Sequence, residues 1–117
     1  MKKLCFAKEV FRAVYEFENR LKKKYGISIN EALSLCALNN GRIKAGKLAE
    51  EVGLSVSRMS RILKSMEKKG YVSRHVGDED CRTMFFVLTK KGRDKLDSID
   101  DSSLELPYFD SNMECSE

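Results

Sequence analysis

The stretch AGKLAEEVGLSVSRMSRILKSMEKKG, residues 45–70, leaves a chain of this kind little freedom in how it folds. Leu48, Val52, Leu54, Met59 and Ile62 recur at the spacing by which two short helices hold each other at a steep angle. Ala49 is small where the second helix must approach, and Gly53 stands at the turn, where a positive φ is needed. Seven positions in fifteen residues thus agree on one tight helix-turn-helix unit. Its first helix is expected from about Lys44 to Val52. Ser55 or Ser57 caps the second, which runs to Lys69, with Gly70 in the place that ends helices.

That second helix sorts its residues by face. Val56, Met59, Ile62, Leu63 and Met66 are expected inward. Ser57, Arg61, Lys64 and Lys68 make an outward stripe, with Arg58 and Ser60 beside it. Arginine can bond two guanine acceptors at once, and serine hydroxyls suit phosphate oxygens. The pattern therefore points to double-stranded DNA, with Ser55, Ser57, Arg58, Ser60, Arg61 and Lys64 as candidate contacts.

The flanking segments extend the plan. Residues 3–24 read as a long helix with one stripe of Leu4, Ala7, Phe11, Val14 and Leu21 and a second of Phe6, Val10 and Phe17. Together they cover about half the wheel, more than one docking surface requires, so a partner subunit is the natural occupant of the remainder. Ser28 and Glu31 form a capping box for a second helix reaching about Leu38, whose Ala32, Leu33, Leu35, Cys36 and Leu38 read as core. NNGR at 39–42 is a turn and Ile43 a short strand residue. Past Gly70 the period changes to two: residues 71–76 and 82–88 read as strands joined by the turn GDED. Thr89 caps a last helix to about Ile99. The expected fold is mainly α (α+β): a winged helix-turn-helix with a two-stranded β wing and a long N-terminal helix. Residues 1–99 form its domain, and 100–117 an acidic, disordered tail.

Charge supports the same partner. Residues 1–96 hold all 22 Lys and Arg against 11 acids, whereas residues 97–117 hold seven acids and no base. A basic body of this kind suits a polyanion. Lys8, Glu9 and Arg12 interrupt the apolar start before it can form a secretion signal, and no segment is apolar enough to span a membrane. Cys5, Cys36, Cys81 and Cys115 lack any CxxC pair, so neither a zinc site nor a disulfide framework is expected, and a reducing cytoplasm is. A metal at His75, Asp78, Asp80 and Cys81 is disfavoured, because a hairpin tip does not preorganise ligands. One histidine and no glycine-rich phosphate loop argue against an enzyme, and no cofactor is expected.

The segment LSVSRMSRILKSMEKKGYVSR resembles the recognition helix and first wing strand of the MarR family of bacterial transcriptional regulators. Asp80, Arg82, Leu88, Thr89 and Gly92 match that family's D-x-R followed by L-T-x-x-G, and the resemblance runs from about Lys47 to Gly92. It implies that Arg82 enters a minor groove from the wing with Asp80 holding its guanidinium, a role for which a narrow A·T-rich groove supplies the attraction. Arg74 on the first wing strand joins the candidate DNA-binding set. Cys81 stands where family members often carry another basic residue. The family also usually continues with long C-terminal helices that pair two subunits. Here 25 residues follow Gly92, so the first helix is expected to do most of the joining in a homodimer.

The opening LCFAKEVFRA is similar to the organic-hydroperoxide-sensing branch of that family, in which the matching cysteine is the sensor. Cys5 is thus a candidate redox sensor, on the polar side of the helix near Lys8 and Arg12. Glu9 and Asn19 replace the tyrosines that bond the sensor sulfur in that branch, so a cysteine without a sensing role stays open beside it. The expected function is that of a sequence-specific regulator, a repressor in the simplest case, binding a pseudo-palindromic operator as a dimer and released by a small molecule or an oxidant. The alternative is a winged-helix protein-interaction module. Such a module would more often expose an apolar patch where this chain places Ser57, Arg58, Ser60 and Arg61.

Overall fold

The computed structural model describes residues 2–77 and 83–99, which fall into two compact units, one through Ile29 and one of Asn30–Ile99. Asp80, Cys81, Arg82, Cys115 and the acidic tail lie outside the described residues.

The first unit is built on α1 (Lys2–Tyr25), closed by Gly26 at φ 69°. Its buried positions are Ala13 and Leu21. Between Lys2 and Glu16 the helix leaves large apolar side chains in the open: Leu4, Phe6, Phe11 and Tyr15 are all more than half exposed.

The second unit holds α2 (Ile29–Leu38) from its second residue on, α3 (Ala45–Val52), α4 (Val56–Lys68), β1 (Val72–Val76), β2 (Met84–Leu88) and α5 (Lys90–Ser98). β1 and β2 pair antiparallel in the register Val72↔Leu88 to Val76↔Met84. Ile43 exchanges both backbone hydrogen bonds with Phe86, adding a one-residue third strand on the far edge of β2. The expected order of elements is the observed one.

The turn between α3 and α4 forms as its residues require. Gly53 adopts φ 81°, and its N–H and that of Leu54 both donate to the Ala49 carbonyl. Ser55, rather than Ser57, caps α4, its Oγ accepting from the Arg58 N–H at 3.2 Å. Leu35, Leu38, Leu48, Ala49, Met59, Leu63, Met66, Val72 and Phe86 are buried and make the core. Thr89 caps α5 by accepting from the Gly92 N–H at 3.0 Å. A Cβ on Gly92 would collide with the Tyr71 carbonyl, so the first turn of α5 can lie against the start of the wing only without a side chain there.

Two expectations are corrected. Val56 is 57% exposed, because the buried seam of α4 starts one turn later, at Met59. Cys36 and Leu33 are exposed rather than core. The buried positions of α2 are Glu31, Ser34, Leu35 and Leu38, a true helical stripe in which two members are polar and the other apolar residues turn outward.

Candidate nucleic-acid interface

α4 separates two kinds of charge along its length. In its N-terminal part Ser57, Arg58, Ser60, Arg61 and Lys64 are all exposed, opposite the buried Met59 and Leu63. Among the described residues, no carboxylate pairs with Arg58, Arg61 or Lys64. The helix therefore displays a cluster of open cations and hydroxyls beside its own N-terminal amides, where the helix dipole favours an anion.

The C-terminal part is knitted into the unit. Glu31 of α2, with a side chain only 7% exposed, accepts from Lys69 Nζ at 2.9 and 3.0 Å and from Ser65 Oγ at 3.2 Å. On the wing side, Arg74 donates to Glu67 Oε1 at 2.7 Å and lies 5.5 Å from the centre of the Phe86 ring. The Glu67 carboxylate, by its hydrogen bond and then by its charge, raises the Arg74 guanidinium above its ordinary value. Register explains this geometry. Arg74 is opposite Phe86, on the sheet face that carries the buried Val72 and Phe86, and so points back toward α4.

The structure thus brings Ser55, Ser57, Arg58, Ser60, Arg61 and Lys64 together on one helix and directs Arg74 into an internal ion pair. Cys5 is exposed on α1, in the other unit, and Arg12 near it is engaged by Glu9 at 2.7 Å. Asp80 and Arg82 fall outside the described residues. Among the described residues no group of three His, Cys, Asp or Glu is placed to hold a metal ion, and no helix is long and apolar enough to cross a membrane.

Two arrangements escape a local reading of the sequence. The Glu31–Lys69 pair joins residues 38 apart in the chain. Arg42 and Lys44, on either side of Ile43, reach over the Phe85 ring with their heads 4.5 and 5.8 Å from its centre. Alternation about Ile43 is the signal that could have placed the second pair on one sheet face.

Comparison with known proteins follows the same lines. The family profile described as Transcriptional regulator SarA/Rot matches residues 16–99. The HTH-type transcriptional regulator SarZ of Staphylococcus epidermidis is 30% identical over 108 residues, which cover 87% of this chain and 70% of SarZ. AbsC, a MarR family transcriptional regulator from Streptomyces coelicolor, superimposes with a TM-score of 0.74 at 27% identity, over 81% of this chain and 66% of AbsC. A MarR variant from E. coli, complexed with operator DNA, shares the fold with a TM-score of 0.71 at 17% identity, over 82% of this chain and 71% of that one.

Proposed function

The chain belongs to the SarA/Rot family of transcriptional regulators, with the MarR-like winged helix, and from that premise we propose that it binds double-stranded DNA sequence-specifically as a homodimer. It is a regulator and not an enzyme. The observation that carries the DNA reading is the exposed set Ser57, Arg58, Arg61 and Lys64 on α4, in which no cation has a carboxylate partner among the described residues. An ordinary surface helix with this many cations would draw some of them into ion pairs, as the other half of the same helix does. In the E. coli relative with this fold the bound partner is operator DNA, and the same use is inferred here.

In this reading α4 enters the major groove. Arg58 and Arg61 meet base edges, Ser55, Ser57, Ser60 and Lys64 meet the backbone, and Arg82, braced by Asp80, enters the flanking minor groove. Two copies joined through α1 meet half-sites one helical turn apart, which makes the operator pseudo-palindromic. The exposed Leu4, Phe6, Phe11 and Tyr15 of α1 support that joining, since apolar surface of this size on one helix gains by burial. Residues 1–99 are the working domain. Occupancy of a promoter in the cytoplasm represses by blocking polymerase, and a small molecule, or an oxidant acting at the exposed Cys5, releases it.

Selection of bound duplexes from a random pool tests the reading directly. A recovered inverted repeat, bound by two copies, is the expected result. A protein that ignores all duplex DNA at low salt would instead be the protein-interaction module. Hydroperoxide treatment tests the signal: release should follow oxidation in the unaltered protein and be lost in Cys5→Ser.

A further inference from the structure

The outer face of the wing sheet carries a basic patch separate from α4. Arg42 and Lys44 alternate about Ile43, whose bridge to Phe86 sets them on the face opposite the core, beside Phe85. His75 is the cross-strand partner of Phe85, on that same outer face, with its Nε2 2.9 Å from Ser73 Oγ. Arg42 and Lys44 are exposed, and among the described residues neither has a carboxylate partner. Two cations converging on one ring repel each other, and an anion relieves that repulsion. A guanidinium held over a ring in this way still carries N–H groups that can donate to an anion.

The surroundings of the patch select the anion. Lys44 is also the N-cap residue of α3, the first helix of the helix-turn-helix unit, and no side chain caps that end. In such units the first helix crosses the DNA backbone. Uncapped first-turn amides suit a phosphate oxygen. Phe85 lies one residue inside the end of β2 that leads to the wing tip. The patch is therefore bordered by two elements already directed at the duplex, and a phosphodiester backbone fits it better than an acidic protein segment.

We propose that Arg42 and Lys44, held over Phe85, form a second phosphate-contact site that grips the sugar-phosphate backbone beside the segment read by α4. The proposal rests on the DNA-binding reading above and adds to it a contact apart from α4 and the wing tip.

The test is the salt dependence of binding to a random-sequence duplex, measured for the unaltered protein, for Arg42→Ala/Lys44→Ala and for Arg42→Lys/Lys44→Arg. Each phosphate contact contributes about 0.9 to the slope of log affinity against log salt. The double alanine variant should lose roughly twice that. Its affinity drop between 50 and 200 mM salt should then be roughly tenfold smaller than that of the unaltered protein. The charge-conserving variant should keep the original slope, and both should melt with the unaltered protein. An unchanged slope in the alanine variant, with duplex still bound, overturns the second site and leaves the DNA reading intact. Failure of the unaltered protein to bind duplex at low salt overturns the DNA reading, and this inference with it.

Discussion

The two halves of α4 share one sequence style and have opposite environments. From Ser57 to Lys64 the polar groups face outward with no carboxylate partner among the described residues, whereas Ser65, Glu67 and the adjoining Lys69 are each bonded to another element. Glu31 holds one side of the lower half and Arg74 the other. A helix restrained at one end by packing alone could still rotate about its axis. Two polar ties on different sides fix that rotation, and with it the direction in which Arg58 and Arg61 point. On the DNA-binding reading proposed above, the difference teaches that the charge of α4 divides into cations kept for a partner and cations that aim them.

Removing the open cations should break the comparison most visibly. Arg58→Ala/Arg61→Ala is expected to cost roughly 2–6 kcal/mol in operator affinity, from about 1–3 for each base-reading arginine, while thermal stability stays unchanged. A loss of stability in place of affinity would show that the upper half is structural after all. Glu31→Ala should act the other way. It removes a buried carboxylate and leaves Ser65 and Lys69 without their acceptor, although the Lys69 side chain is 40% exposed and can rehydrate. Urea unfolding should show a loss of about 2 kcal/mol, below the figure for a fully buried pair. No change there would mean that Glu31 does not tie down the lower half.

Ser55 sharpens the boundary, because it belongs to the upper half by sequence and to the lower by role. Its Oγ caps the helix, so Ser55→Ala should cost about 1 kcal/mol of stability. Ser55→Asp keeps a cap and puts a negative charge beside the duplex. Unfolding curves and gel shifts on the two variants should therefore diverge, the aspartate stable yet weakly bound. Parallel loss of both properties in both variants would erase the distinction.

The upper half was legible in the sequence because a helical period and its caps are local signals. Met59, Leu63 and Met66 are buried as the spacing requires, and Gly53, Gly70 and Thr89 end or begin helices where their chemistry suits. Val56 misled because periodicity gives a face and not the point along the helix where contact begins. The lower half was hidden for a different reason. Apolarity assigns Leu33 and Cys36 to the core of α2, but Glu31 and Ser34 occupy those inward places, each satisfied by a hydrogen bond. A buried carboxylate becomes tolerable only through Lys69, far along the chain, and no local pattern announces such a pair. Arg74 was ambiguous for the same reason, since a strand arginine reads alike whether it meets a phosphate or a glutamate.

Arg74 provides the finest division of the comparison and the smallest expected effect. Its pair with Glu67 is partly exposed, with side chains 50% and 28% accessible, so solvent and salt screen it. Glu67 raises the Arg74 pKa in the folded state above its unfolded value. For a base shifted upward, the stabilisation is fully present below the unfolded value and is lost only as pH rises through the folded one. The contribution should therefore hold constant from neutral into mildly alkaline pH and fade with added salt. Arg74→Gln should lower the melting midpoint slightly at low salt and hardly at all at high salt. The same variant decides what Arg74 is for. If it only aims α4, the salt slope of duplex binding stays as it was and operator discrimination narrows. If it meets a phosphate as well, the slope should fall by about 0.9. A fall of that size would move Arg74 from the aiming cations to those kept for the partner, and the boundary between the two groups would then cross onto the wing.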